Sequence, residues 1–69
     1  MKPAGEGPDR EVYFEFTAMG SSVRVAAIDA ATGVETVVVG PVSASAADLE
    51  RLALAKLKAR LAKRGISGQ

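Results

Sequence analysis

In Arg10-Glu11-Val12-Tyr13-Phe14-Glu15-Phe16-Thr17 polar and apolar side chains alternate strictly from Glu11 onward. In an extended chain successive side chains point to opposite faces, so Val12, Phe14 and Phe16 share one face and Glu11, Tyr13, Glu15 and Thr17 the other. Aromatic and β-branched residues at that period read as a half-buried strand. Downstream, Ser22–Asp29 sets Val23, Val25 and Ala27 against Arg24, Ala26 and Ile28, and Val34–Gly40 sets Val37 and Val39 against Thr36 and Val38. Pro41 has no N–H for a ladder and is expected to end the third strand at Gly40.

The loops between these runs predict a register. With Ala18-Met19-Gly20-Ser21 as a four-residue connection, Phe16 meets Val23, Phe14 meets Val25, Val12 meets Ala27, and Glu15 faces Arg24. A one-residue slip would oppose Phe14 to Arg24. Asp29-Ala30-Ala31-Thr32-Gly33 reads as a type I turn closed by a glycine bulge, with Gly33 at positive φ. That turn would oppose Ala27 to Val37 and Val25 to Val39, gathering the valines on one face.

The C-terminal third changes period. Ser45-Ala46-Ala47-Asp48 is an N-cap with an acid at the third position, and Gly65 is a natural stop. Between them, Leu49, Ala53, Leu57 and Leu61, widened by Ala46 and Leu54, form a stripe suited to the Val/Phe face of the sheet. Acids lie in the first turns (Asp48, Glu50) and bases in the last (Lys63, Arg64), as the helix dipole favours. The expected fold is therefore α+β: a three-stranded antiparallel meander followed by one C-terminal amphipathic helix on one sheet face. Residues 10–64 form the single domain, with tails at 1–9, where Pro3, Gly5, Gly7 and Pro8 lie, and at 65–69.

Sixty-nine residues support one core, and at that size it supplies only ~3–5 kcal/mol unless a staple or partner helps. With no Cys there is no disulfide or thiolate site, and with no His the commonest metal ligand and general acid/base is missing. No apolar run is long enough to span a bilayer and no signal peptide follows Lys2, so the cytoplasm is the expected compartment and no membrane the expected partner. Charge is lopsided. Residues 1–50 carry three basic and eight acidic side chains, whereas residues 51–69 carry six basic and none acidic.

Chemistry is hard to find in this pattern. Glu11 and Glu15 on one strand face read as solvated surface, and Asp29 and Glu35 as turn and edge chemistry. Ser43 and Ser45 precede a helix, but Gly40-Pro41-Val42-Ser43-Ala44-Ser45 lacks the ending of a phosphate loop, so capping is the expected role. No catalytic, metal-binding or cofactor-binding residue is expected, and no cofactor. The basic side chains Arg51, Lys56, Lys58, Arg60, Lys63 and Arg64 point in several directions around the helix, which favours a solvated face over contact with nucleic acid.

The series Glu11-Val12-Tyr13-Phe14-Glu15-Phe16, Gly20, Val23-Arg24-Val25, Ala27-Ile28-Asp29, Thr32-Gly33-Val34-Glu35 and Gly40-Pro41, completed by Asp48-Leu49-Glu50-Arg51-Leu52-Ala53 and Lys56-Leu57, resembles a family of short, uncharacterised alphaproteobacterial proteins that carry a domain of unknown function. The resemblance runs from Arg10 to Leu61 and implies no activity. Some members carry the label serine hydroxymethyltransferase, but this chain is too small to enclose pyridoxal phosphate, substrate and folate.

The functional expectation is a small non-enzymatic protein-interaction module that docks an unknown protein partner or a second copy of itself as a homodimer. A second helix strip (Leu52, Ala55, Ala59, Ala62, Ile66) and an outer sheet face (Tyr13, Ile28, Val38) have no cover within one small sheet. The expected interface is Tyr13, Ile28, Val38, Leu52, Ala59 and Ile66. The alternative is nonspecific nucleic-acid binding through the basic helix.

Overall fold

The computed structural model describes residues 11–65. The expected tail at 1–9, the strand start at Arg10 and the interface residue Ile66 lie outside the described residues. Within them the chain forms β1 (Val12–Met19), β2 (Ser22–Asp29), β3 (Glu35–Pro41) and α1 (Ala46–Lys63). The strands pair antiparallel in the order β1-β2-β3, and α1 lies across β2 and β3. The α+β meander with one C-terminal helix is the architecture the sequence predicts.

The first hairpin keeps the predicted faces but shifts its register by two residues. Ala18 and Met19 belong to the strand, not to a four-residue loop, and only Gly20-Ser21 connects β1 to β2. Gly20 has φ +61° and Ser21 does not, the φ pattern of a type II′ turn. Phe16 therefore meets Val25, Phe14 meets Ala27 and Val12 meets Asp29. Glu15 lies opposite Ala26, not Arg24; Arg24 reaches along the outer face to Glu35 at 4.0 Å.

The second hairpin corrects a face. Ala27 pairs with Thr36, Val25 with Val38 and Arg24 with Val39, one residue away from expectation. A slip of one turns every side chain of the strand over. Thr36 and Val38 thus face the helix, while Val37 and Val39 lie on the outer face, away from Val25. The cause is local. Asp29 and Val34 close a four-residue loop, with the Asp29 N–H donating to the Val34 carbonyl at 2.8 Å and the Gly33 N–H donating to the Asp29 carbonyl at 2.7 Å. The Asp29 carboxylate accepts from the Thr32 N–H (3.1 Å) and Oγ1–H (2.7 Å), and Thr32 Oγ1 accepts from the Val34 N–H (3.2 Å). Gly33 has φ +77°, as its place at the end of the loop requires. β3 also runs one residue further than predicted, through Pro41. Opposite Ser22, Pro41 occupies a position whose missing N–H would face away from β2, so the ladder loses no bond.

The core is the predicted helix stripe, Leu49, Ala53, Leu57 and Leu61, against Val25, Ala27 and Val34. Val12, Phe14, Val23, Val38 and Ala44 pack at its margin. Among the described residues, the polar side chains of Asp29 and Thr36 are also buried. Asp29 serves the hairpin loop, and Thr36 Oγ1 donates to the Ala53 carbonyl at 3.0 Å, tying helix to sheet. Ser45 caps α1 as expected, accepting from the Asp48 N–H at 3.3 Å, and Gly65 follows the last turn at φ +75°.

Candidate functional site

An isolated helix is about 10 Å across, while adjacent strands are about 4.8 Å apart, so one helix covers roughly two strands. In this fold α1 spends its width on β2 and β3. β1 is covered only in part: Val12 and Phe14 pack at the margin of the core, and the strand beyond them is open. Phe16, which points to the helix side, is 47% exposed, and Tyr13 and Met19 on the outer face are 54% and 44% exposed. On the outer side Ile28 and Val37 are half-buried and Val39 is exposed. Ala26 is fully buried there, screened between Glu15 and Val37 on the flanking strands.

The two sheet edges differ. Antiparallel ladders alternate residues that exchange hydrogen bonds with residues that turn their backbone groups outward. The Asp29–Val34 bond sets that alternation on β3, so the Glu35 and Val37 carbonyls turn to the open side. Both are met by α1: Lys56 Nζ donates to the Val37 carbonyl at 2.8 Å, and Arg60 Nη1 to the Glu35 carbonyl at 3.2 Å. Lys56, Ala59, Arg60 and Lys63 with Thr36 line a groove of about 410 Å³ along this edge. On β1, the Ala30 N–H donates to the Glu11 carbonyl at 2.9 Å, so Val12, Phe14, Phe16 and Ala18 turn their backbone groups away from β2.

A family model described as a domain of unknown function (DUF6898) matches residues 9–64. The chain belongs to that family. No curated protein and no solved structure matches it.

The residues that sequence reading singled out in this DUF6898 domain fall on different surfaces. Tyr13 and Ile28 lie on the outer sheet face; Val38 lies on the inner face against the core, a correction that follows from the β3 slip. Leu52, 56% exposed, and Ala59 lie on the helix, on the opposite side of the sheet from Tyr13 and Ile28. No single patch joins them. Of the six basic residues, Lys56, Arg60 and Lys63 do share one flank, at i, i+4 and i+7. Arg51 pairs with Asp48 at 2.8 Å, Lys58 lies off the groove, and Arg64 is the C-cap. Phe16 and Met19 were missed. Alternation places Phe16 on the core face, and only the width of one helix reveals that the cover ends before it.

Among the described residues no three His, Cys, Asp or Glu side chains gather as a metal site, and no helix is long and apolar enough to cross a membrane.

Proposed function

We propose that this DUF6898 domain is a small, non-enzymatic protein-interaction module and that the partner it docks is a second copy of itself. The observation that carries the reading is the concentration of exposed Tyr13, Phe16 and Met19 on one strand, β1, of which only Val12 and Phe14 pack against the core. A single 69-residue core without disulfides gains from burying that surface in a partner. A non-catalytic role is supported by the placement of the carboxylates. Asp29 is engaged with Thr32 in its own loop, and Glu35 with Arg24. A cytoplasmic location belongs to the same proposal, and a chain with no Cys is compatible with a reducing compartment. Sedimentation velocity from low to high micromolar concentration tests the reading: a dimer is expected, and a monomer throughout refutes it.

A second reading has its own support. Lys56, Arg60 and Lys63 on one flank offer three cations to a phosphate backbone. Against it, Lys56 and Arg60 already donate to β3 carbonyls. Fluorescence anisotropy of a labelled oligonucleotide at low salt decides: binding that fades steeply with added salt supports this reading, and no binding ends it.

A further inference from the structure

The sheet has one edge that its own helix occupies and one that it does not. On β3 the outward carbonyls of Glu35 and Val37 are engaged by Arg60 and Lys56, and the charged side chains stand where another strand would have to lie. On β1 the outward backbone groups belong to Val12, Phe14, Phe16 and Ala18, and α1 lies over the other two strands. The same strand carries exposed apolar side chains on both faces, so a strand laid beside it would cover Phe16 on one side and Tyr13 and Met19 on the other.

We infer that two copies of this domain join β1 to β1 in antiparallel fashion, with Phe16 on the two-fold axis, making one continuous six-stranded sheet. This rests on the self-association reading above and specifies its surface. The register follows from the strand itself. Outward-turned residues must meet outward-turned residues for the ladder to form, which restricts the axis to a residue of β1 rather than a point between two. Centred on Glu15, the pairing would set that carboxylate against its own copy, and directly opposed like charges are destabilising. Centred on Phe14, it would use only Val12–Phe16 of the strand. Centred on Phe16, it uses Tyr13–Met19: Phe16 meets Phe16, Phe14 meets Ala18, Glu15 meets Thr17, and Tyr13 meets Met19. Each exposed apolar residue of β1 then has an apolar partner. Because the β3 edges of both copies stay engaged by Lys56 and Arg60, growth stops at two rather than continuing as a filament.

The experiment uses the full chain and variants that act on the edge without touching the β1–β2 ladder. Ala18→Pro removes an N–H that faces away from β2, and Phe16→Lys opposes two cations on the axis. Val39→Lys alters the outer face only. Far-UV circular dichroism checks the fold of each, and Phe16→Lys decides if Ala18→Pro does not fold. By sedimentation equilibrium, the wild type and Val39→Lys are expected at twice the chain mass of 7.1 kDa, and Ala18→Pro and Phe16→Lys at the single-chain mass. The chain has no native Cys, so a Tyr13→Cys/Met19→Cys variant is expected to oxidise to a covalent dimer, directly opposed positions being within disulfide reach. A monomeric wild type overturns both this inference and the self-association reading. A dimer that survives Ala18→Pro and Phe16→Lys but is lost in Val39→Lys overturns edge pairing alone. Failure of the cysteine pair to cross-link in a dimeric protein overturns the Phe16-centred register.

Discussion

The Asp29 carboxylate is fully buried and accepts two hydrogen bonds from Thr32, and those bonds set the loop length on which the β3 register depends. Hydrogen bonds to an ionised acceptor contribute more than neutral ones, about 1.5–3 kcal/mol. Asp29→Ala is therefore expected to destabilise the domain by roughly 2–3 kcal/mol in urea unfolding, and Asp29→Asn by about half as much, since one amide oxygen still accepts. Gly40 has a different constraint. A Cβ there would stand 2.6 Å from Leu49 Cδ2, inside the buried stripe. In an open strand Gly→Val gains up to ~1 kcal/mol of β-propensity, but overpacking a core costs ~1–3 kcal/mol, so the clash wins. Gly40→Val should lower the urea midpoint with little change in slope; a raised midpoint would show that Leu49 yields freely.

Among the elements, α1 is the best specified by local sequence. Ser45 at the N-cap, the Leu49/Ala53/Leu57/Leu61 stripe and Gly65 beyond the end were all legible, because capping, periodicity and termination each depend on side chains within a few residues. Ser45→Ala is expected to cost about 1 kcal/mol, read as a lower thermal midpoint at unchanged native helicity. The strands were legible to different degrees. Their existence and the parity of β1 against β2 came from alternation at Val12, Phe14, Phe16 and Val23, Val25, Ala27. The length of the first turn could have been read too, since Gly-Ser between two strand patterns is a two-residue hairpin signal. The face of β3 could not be read from its pattern. Val37-Val38-Val39 is apolar on either side, and β2 across from it is buried through Val25, Ala26 and Ala27. Two continuous apolar runs fit either phase equally well, and the hydrogen bonds of Asp29 chose between them.

At the scale of the molecule, one helix over a three-stranded sheet leaves a strand half clothed. If a second copy completes the cover, stability becomes concentration-dependent, because association favours the folded state by mass action. The thermal midpoint is expected to rise with protein concentration in the wild type and to stay constant in Phe16→Lys. A midpoint independent of concentration in both proteins would sever the link between exposure and assembly. What the sequence determined alone was the inventory: three strands, one capped helix, the leucine stripe and an antiparallel order, all products of local periodicity and turn chemistry. Only the tertiary structure decided which side of β3 meets the helix, that Lys56 and Arg60 occupy the β3 edge, and that Phe16 stays open. These depend on distances between elements, where a buried carboxylate sets a register and the diameter of a single helix limits how much sheet it can cover.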